Sequence, residues 1–449
     1  MITPFYIKTY IERNFNALNF SILSIDEICE LILTTCNLII EYLKENILEY
    51  NYNDKFEDIY DNLKELYTTQ LHNIVYDEVL YNQLYYIQNR DNLNNDIVNV
   101  LFISNKLIQK FVVPPRSYSK TFIRIKQRPS IKKTLQRKIK YLKSIPQAEQ
   151  RTSEWYKFRH NTLTASNIWK VFHTESTQNQ LIYEKCKPIN EGSFSYTNID
   201  SPLHWGQKYE PLSILYYEYT YNTKIDDFGC IPHQNYEYIA ASPDGINSLI
   251  DSERFGRMLE IKNIVNRVIT GIPKMEYWVQ MQLQMETCDL NECDFLETRF
   301  IEYESRDEYI NDPDFSNHDQ LTQSNTKYRG IILHFENNNR PFYQYHPFGL
   351  NLTDIHKWEQ ETMNLYNDLT WVKTIYWKLQ EISCVLILRN KFWFRVAQPF
   401  IETTWDIIQC EKNIDFSHRA PKQRLQKLNQ SVTVDNSNID NTKTCLINI

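Results

Sequence analysis

The sequence lacks several features that would set it apart from ordinary intracellular proteins. Its nine cysteines include no Cys-x-x-Cys pair and no cysteine–histidine set at zinc spacing, which argues against a zinc site or a disulfide framework. The N-terminus has no basic segment followed by an apolar one, so no signal peptide is expected. The apolar run from Leu31 to Leu43 is interrupted by Asn37 and Glu41 and is too short to cross a membrane. We expect a soluble intracellular protein without membrane contacts.

A positive net charge is also missing. The formal net charge is -7 and the pI is about 5.9, so the protein as a whole is not a basic nucleic-acid coat. Glycine is scarce, with 8 residues, whereas tyrosine is abundant, with 31. The length of 449 residues allows two or three domains.

Positive charge is instead concentrated in one segment without acidic residues. Its eleven basic residues are Arg116, Lys120, Arg124, Lys126, Arg128, Lys132, Lys133, Arg137, Lys138, Lys140 and Lys143, and three aromatic residues lie among them. Such a stretch is typical of an arm that binds nucleic-acid phosphates, with Lys132, Lys133 and Arg137 as candidate contacts. The alternative is a solvated linker, or the outer face of a helix that covers an acidic neighbour. In an acidic protein, this local concentration of charge favours nucleic-acid binding.

Apolar periodicity predicts an α/β protein with a small mixed central sheet flanked by helices, an N-terminal helical domain and a C-terminal α/β extension. The expected parts are a helical domain (1–112), a basic linker (113–147), the α/β core (148–345), a C-terminal helical extension (346–414) and a disordered tail (415–449). Within these parts we expect a loop over 174–203 and a helix from Thr370 to Glu381.

The stretch from Ser242 to Lys262 carries the residues that suggest a chemistry. Asp244 lies in a Pro-Asp-Gly turn, and Glu260 and Lys262 are two residues apart on a predicted strand. Residues i and i+2 of a strand share a face, so their apolar neighbours should point into the core. A hairpin between Asp244 and Glu260 would bring both acids to one cation, and such oxygen ligands suit Mg²⁺ or Mn²⁺. Taken alone the pattern is weak, and a surface ion pair would be the favoured explanation.

Two elements upstream add to this stretch. Glu210 lies in the first turns of a predicted helix, where a glutamate usually only complements the helix dipole but could also be a third metal ligand. Arg159 precedes Ser166 by seven residues, and Ser166 or Thr164 could cap a helix whose N-terminus binds phosphate. A guanidinium and a hydroxyl at that place suit a terminal phosphate. Taken singly, Arg159 is more often a surface ion-pair partner and Ser166 only a cap.

Five segments in this order resemble the lambda-exonuclease-like family, the YqaJ-type viral recombinase nucleases of the PD-(D/E)xK superfamily. They are Glu154-Trp155-x-x-x-Arg159 with Thr164-Ala165-Ser166, Gly206-x-x-x-Glu210, Ser242-Pro243-Asp244-Gly245, Leu259-Glu260-Ile261-Lys262 and Tyr277-x-x-Gln280-x-Gln282-x-x-Met285. The resemblance covers about residues 150–300. Each segment alone is unspecific, but together they are highly specific.

The resemblance implies a PD-(D/E)xK nuclease core with a Mg²⁺ site, in which Mn²⁺ is an alternative and two metals are expected. Asp244 and Glu260 look like the metal ligands, joined by Glu210, and Lys262 looks like the catalytic lysine. Gln280 looks like the glutamine of the family, which helps to hold the lysine or the scissile strand.

The resemblance also implies a substrate. Arg159 and Ser166 look like the pocket for a 5′-phosphate, and Tyr277, near Gln280, is a further candidate for DNA binding. The implied activity is a 5′→3′ exonuclease that degrades one strand of duplex DNA from its end, for recombination, repair or viral DNA processing. The product would be a 3′ overhang for a single-strand annealing or recombination protein.

The sequence departs from the family in two respects. Asn263 follows Lys262, where members often carry a Cys-Pro or a similar turn, and the first 145 residues and about the last 115 have no counterpart in the minimal phage enzyme. Such extensions resemble those of large-DNA-virus members, which would act in host cytoplasm or a virus factory. Whether the chain forms the trimer of the phage protein stays open. Two other functions also stay open, namely a structure-specific endonuclease with the same core and a DNA-binding protein with an inactive core.

Overall fold

The computed structural model describes residues 7–11, 23–45, 65, 90–112, 114, 116–118, 129–148, 150, 152–189, 201–315, 328–338 and 340–421. The helices are α1 (Ile25–Glu45), α2 (Arg90–Phe111), α3 (Pro129–Ser144), α4 (Ser153–His160), α5 (Ala165–Ile168), α6 (Glu175–Cys186), α7 (Pro202–Tyr221), α8 (Met275–Thr287), α9 (Arg306–Asn311), α10 (Leu352–Leu365) and α11 (Lys391–Lys412). Two 3₁₀ turns cover Trp169–Phe172 and Ser417–Arg419. Most of the predicted N-terminal domain, the arm over 119–128 and the tail from 422 lie outside the described residues, so the predictions made there stay predictions.

The strands form two sheets. They are β1 (Leu163–Thr164), β2 (Ile225–Asp226), β3 (Ile231–Pro232), β4 (Ile239–Ala241), β5 (Gly245–Asn247), β6 (Met258–Asn263), β7 (Glu292–Glu302), β8 (Arg329–Asn337), β9 (Arg340–Tyr345) and β10 (Thr370–Leu388). The larger sheet has the order β2-β5-β6-β7-β10-β8-β9, and only its β6–β7 pair is parallel. The smaller sheet has the order β1-β4-β3. The expected mixed α/β class, with helices flanking a mixed sheet, is thereby confirmed.

The side chains of strand β6 alternate between its two faces, as the sequence predicts. Leu259 and Ile261 pack in a buried cluster with Tyr217 of α7. Met258 packs in a different cluster with Trp278 and other residues of α8. Helices α7 and α8 therefore cover opposite faces of β6. Glu260 and Lys262 lie two and four residues after Met258, so they share its face and point toward α8.

Two segments differ from the prediction. The helix expected from Thr370 to Glu381 is wrong, because Thr370–Leu388 is one strand, β10, paired with β7 on one side and β8 on the other. Its many β-branched and aromatic residues suit a strand, and pairing on both sides outweighs the local helical pattern. The loop expected over 174–203 is wrong in its first half, which contains α6. Residues 346–414 are thus not a purely helical extension, because β10 is an inner strand of the main sheet.

The N-terminal helices α1 and α2 pack through the apolar faces that the three- and four-residue spacing predicts. Ile28, Ile32, Leu101 and Leu107 are buried in their shared cluster. None of the described helices combines the length and the apolar character needed to cross a membrane. The limits of the predicted domains stay a prediction.

Candidate active site

Glu260 is the most deeply buried acid of the candidate site, with a relative exposure of 0%. One of its oxygens, Oε1, forms an ion pair with Nζ of Lys262 on the same strand. The other, Oε2, accepts a hydrogen bond of 2.7 Å from Nε2 of Gln284 on α8. The same Nε2 also donates to the Ser242 carbonyl oxygen at 3.2 Å. Gln284 therefore links Glu260 to the turn that leads to Asp244, and it satisfies a carboxylate that water does not reach.

Asp244 lies directly before β5, which pairs antiparallel with β6. Its Oδ2 accepts a hydrogen bond of 2.7 Å from the backbone N–H of Ile261. The next residue must be small, because a Cβ on Gly245 would lie 2.2 Å from a methyl carbon of Ile225. This close packing of β2 against β5 fixes the position of the Asp244 carboxyl beside Glu260.

The acids of the site influence one another. Burial raises the pKa of Asp244 well above its usual value, and repulsion from Glu260 and Glu210 adds to that increase. Lys262 and the Ile261 N–H act in the opposite direction without cancelling it. A bound cation would relieve this crowding of negative charge.

Lys262 is a fixed cation. Burial works against its charge, but the carboxylates of Glu260 and Asp244 outweigh burial and raise its pKa. Its Nζ lies 5.0 Å from the ring centroid of Tyr277, which adds a cation–π contact. Lys262 is therefore suited to stabilise negative charge and to orient a polar group, not to accept a proton at neutral pH.

The fit of these residues to a metal is partial. The carboxylate oxygens of Asp244 and Glu260 are the hard donors that Mg²⁺ and Mn²⁺ prefer. Within the described residues, no three or more His, Cys, Asp or Glu side chains are grouped so as to hold a metal ion. Glu210, on α7, is close enough to raise the pKa of Asp244 but does not complete such a group. Two acids thus fit a cation, and the role of Glu210 as a third ligand stays a prediction.

Arg159 and Ser166, predicted together from their spacing, are in contact. Arg159 Nη2 donates to Ser166 Oγ at 3.0 Å, and Nη1 lies 3.4 Å from Ser242 Oγ. The guanidinium also lies 4.4 Å from the Trp155 ring centroid, one helical turn earlier on α4. Thr164, at the N-cap position of α5, places its hydroxyl 3.3 Å from that of Ser166. A cation and hydroxyl groups thus converge, and Ser242 lies only two residues before Asp244.

Lys185 is a polar residue of this cluster that the sequence analysis missed. It lies on α6 with 7% exposure, and its Nζ donates to the Arg159 carbonyl oxygen at 2.6 Å. Burial, followed by repulsion from Arg159, lowers the pKa of Lys185 to about 7. Lys185 was missed because a loop was expected over 174–203. A signal was present, since Lys185 follows the buried Leu181 and Ile182 by four and three residues and so shares their face.

Helix α8 supplies a second glutamine besides Gln280, whose role stays a prediction. Gln280 is half-buried, and its side chain makes no hydrogen bond to another described residue, whereas Gln284, one turn later on the same face, binds Glu260. Tyr277, one turn earlier, lies between Lys262 and Arg267, whose Cζ is 5.3 Å from the ring centroid. The i, i+4 relation between Gln280 and Gln284 is the signal that could have revealed the second glutamine.

Asn263, where the sequence departs from the family pattern, joins three elements. Its Nδ2 donates to the Gly206 carbonyl oxygen of α7 at 2.9 Å. Its Oδ1 accepts from Ser213 Oγ at 2.8 Å and from Thr298 Oγ1 of β7 at 2.7 Å. Asn263 therefore ties the end of β6 to the helix that carries Glu210.

The predicted arm residues lie on α3, where they divide between two faces. Lys132 turns toward the rest of the protein, and its Nζ donates to the Ile250 carbonyl oxygen at 2.9 Å. Lys133 and Arg137 are exposed. None of the three forms an ion pair with the acids of the candidate site in the described part of the chain.

The fold and the site define a mixed α/β domain in which a buried glutamate, a half-buried aspartate and a lysine lie around one strand. Residues 154–291 match the family model described as the YqaJ-like viral recombinase domain. Residues 154–291 are thus similar to this family, and the resemblance indicated by the five segments is confirmed.

A curated relative and solved structures are also similar to this chain. An uncharacterized protein of Acanthamoeba polyphaga mimivirus is 30% identical over 335 residues, which are 66% of this chain and 58% of the relative. The chain thus spans somewhat more than half the length of that protein. The crystal structure of an alkaline exonuclease from Laribacter hongkongensis is 17% identical and covers 58% of this chain and 94% of its own, with a TM-score of 0.34. Its complex with dAMP gives 16% identity and a TM-score of 0.33.

Proposed function

We propose that this chain is a metal-dependent deoxyribonuclease that degrades one strand of duplex DNA from a 5′-phosphorylated end. One observation carries the proposal. The turn from Ser242 to Asp244 belongs to two clusters at once, since Ser242 lies beside the Arg159 guanidinium and Asp244 lies beside Glu260. A site for a terminal phosphate is thereby held next to paired acids, an arrangement suited to cleavage near a DNA end.

The first role is recognition of the end. A terminal phosphate carries more negative charge than a phosphodiester, so it gains more from the Arg159 guanidinium and its neighbouring hydroxyl groups. Ser166 and Ser242 already accept hydrogen bonds from Arg159, and both hydroxyls can in turn donate to phosphate oxygens. Lys185, whose lowered pKa of about 7 leaves it partly charged at neutral pH, could gain its full charge beside a phosphate bound close to Arg159.

The second role is hydrolysis. Asp244 and Glu260, with Glu210 proposed as a third ligand, would hold Mg²⁺ or Mn²⁺, and a two-metal site is the form implied by the resemblance. The bound metal would supply an activated water and neutralise negative charge. Lys262 stays protonated between two carboxylates and is placed to stabilise the charge that develops on the scissile phosphate. Tyr277 and Gln280 are proposed to position the scissile strand.

The product of this reaction would be duplex DNA with a 3′ overhang. A protein that anneals or recombines single strands is the partner expected for such a product. The viral character of the family model agrees with a role in recombination, repair or processing of viral DNA.

Digestion of end-labelled DNA tests the proposal. We expect the protein to degrade linear duplex from its 5′ end in the presence of Mg²⁺ or Mn²⁺, to leave covalently closed circles intact and to lose activity in a chelator. Glu260→Gln should abolish cleavage, whereas Glu361→Gln, which changes an exposed carboxylate on α10, should not. Cleavage of closed circles would indicate an endonuclease, and equal cleavage by wild type and Glu260→Gln would refute the assignment of the site.

The terminal-phosphate pocket is tested separately. Arg159→Ala should reduce the ratio of kcat/KM for phosphorylated ends to that for hydroxyl ends at least tenfold, because only the former present the extra charge. Lys157→Ala, which removes an adjacent cation of α4, is the matched control. The same ratio in wild type and Arg159→Ala would exclude this role of Arg159.

A further inference from the structure

Helix α3 lies outside the matched domain, and its six cations divide into two sets. Lys132 donates to the Ile250 carbonyl oxygen, Lys138 pairs with Asp289 at 2.6 Å, and Lys143 pairs with Asp226. These three lysines lie along the contact between α3 and the rest of the protein. The second set is Lys133, Arg137 and Lys140, which are exposed and form no ion pair with any residue that the structure describes.

The second set forms one straight face. Its members follow the spacing i, i+4 and i+7, which places them on one side of a helix. The apolar residues Ile139 and Leu142, which anchor α3 in the core, lie on the other side. A span of seven residues corresponds to about 10 Å at 1.5 Å per residue. The helix contains no acidic residue, so nothing on α3 itself neutralises this face.

The rest of the fold holds the face in place. Gly256, at a φ of +80°, lets the β5–β6 hairpin approach α3 so closely that a Cβ there would lie 2.8 Å from Leu135. At the other end of α3, Asp226 pairs with Lys143 and belongs to β2, next to β5, the strand that Asp244 precedes. The face is therefore rigidly connected to the hairpin that carries the acids.

We infer that Lys133, Arg137 and Lys140 form a docking face for the sugar-phosphate backbone of duplex DNA, separate from the site at Asp244 and Glu260. The face holds the body of the duplex while its end occupies the candidate active site. The inference rests on the proposed function for the identity of the partner. The net charge of the whole chain is -7, so this uncompensated positive face is a local exception that matches a polyanion.

The dimensions fit a backbone. Phosphates of one strand advance by about 3.4 Å each along the duplex axis, so a rigid face of about 10 Å aligned with that axis covers the rise of roughly three of them. Only one exposed aromatic ring, Tyr141, adjoins the face in the described part of α3, so it offers no series of stacking platforms for single-stranded bases. Contacts of this kind position a duplex without reading its sequence.

The test is equilibrium binding to a duplex whose two ends are closed by hairpin loops, measured by fluorescence anisotropy in a chelator. The closed ends remove the terminal phosphate, and the chelator removes cleavage. The variant Lys133→Gln/Arg137→Gln/Lys140→Gln should bind at least tenfold more weakly than wild type at about 100 mM salt. The slope of log K against log salt should become shallower by about 2.7, since each phosphate contact contributes about 0.9.

The control variant Lys357→Gln/Lys373→Gln/Arg395→Gln removes the same charge from exposed positions on α10, β10 and α11 and should retain the wild-type slope. Glutamine is a good helix former, so the α3 variant should melt at the wild-type temperature. Equal slopes for wild type and the α3 variant would overturn the inference. Loss of single-strand binding alone, with duplex binding unchanged, would also overturn it.

The outcome is distinguishable from failure of the proposed function. If no DNA is cleaved under any condition but the α3 variant loses duplex binding, the nuclease proposal fails and the docking face stands. If the wild type degrades linear duplex and the α3 variant binds closed duplex as wild type does, the docking face fails and the nuclease proposal stands.

Discussion

Replacing Gln284 by methionine isolates the contact that holds Glu260. The two side chains have similar volume, so the change removes hydrogen bonds without opening a large cavity. Gln284 Nε2 donates to the Glu260 carboxylate at 2.7 Å and to the Ser242 carbonyl oxygen at 3.2 Å, and Gln284 is fully buried. Both acceptors would lose this donor in a region that water does not reach.

The expected cost follows from these two bonds. A hydrogen bond to a charged group contributes about 1.5–3 kcal/mol, and the bond to the carbonyl oxygen contributes about 1 kcal/mol. The free energy of unfolding should therefore fall by about 2.5–4 kcal/mol. Lys262 remains as a partner of Glu260, but the carboxylate loses the fixed orientation that Gln284 gives it. We expect kcat for DNA cleavage to fall on the order of tenfold to a hundredfold, as for other partners that orient a ligand carboxylate.

Gln280→Met is the matched comparison on the same helix. The Gln280 side chain is half-buried and makes no hydrogen bond to another described residue, so its loss should change the free energy of unfolding by less than about 0.5 kcal/mol. If Gln280 contacts the scissile strand, this variant should lose activity while keeping its stability. Comparison of the two variants thus distinguishes a residue that supports the site from one that contacts the substrate.

Urea denaturation followed by tryptophan fluorescence measures the first quantity, and digestion of end-labelled duplex measures the second. A free-energy change of about 2.5–4 kcal/mol should move the urea midpoint of Gln284→Met by roughly 0.5–1 M, because m rises with chain length and exceeds about 3 kcal/mol/M for a chain of this size. Equal midpoints for wild type and Gln284→Met would refute the claim that this hydrogen bond holds Glu260 in place. If Gln280→Met loses activity only to the extent that it also loses stability, the contrast between the two glutamines is refuted.

Two further predictions concern other polar contacts. Asn263→Ala removes the bonds that join β6 to α7 and should lower kcat, with an unfolding cost of about 2 kcal/mol, whereas an unchanged kcat would show that α7 is positioned without it. His346 is fully buried, and burial lowers its pKa to about 4. Because this folded-state pKa lies below the unfolded value of about 6.5, its contribution to stability is complete above pH 6.5 and is lost as the pH falls toward 4, by about 3 kcal/mol in total. The urea midpoint of His346→Gln should depend less on pH over that window than the wild-type midpoint does. If the midpoints of the two proteins change in parallel with pH, His346 is not the source of this loss of stability.

Much of the candidate site could be predicted because its signals are local. The two-residue period of β6 predicts that Glu260 and Lys262 share a face, and the structure places both on the α8 side. The spacing of Arg159 and Ser166 predicts a contact that is present at 3.0 Å. In both cases the two side chains that come together belong to residues close to each other in the sequence.

The parts that could not be predicted depend on distant partners. β10 has a mixed local pattern, and it becomes a strand because β7 and β8 provide hydrogen-bond partners on both sides. Gln284 and Lys185 gain their roles from Glu260 and Arg159, which are 24 and 26 positions away in sequence. Helical periodicity places these residues on a buried face but does not indicate which polar group they meet there.

The short distance between the two clusters favours an exonuclease over an endonuclease. Ser242 and Asp244 are two residues apart, so at most about 7 Å of backbone separates the position proposed to meet the terminal phosphate from the position beside the acids. This separation corresponds to about two nucleotides of rise at 3.4 Å each. A DNA end whose terminal phosphate lies against the Arg159 guanidinium would therefore bring a nearby phosphodiester to the acids. The additional charge of that terminal phosphate would compensate for the burial of Arg159, which lowers the pKa of the guanidinium.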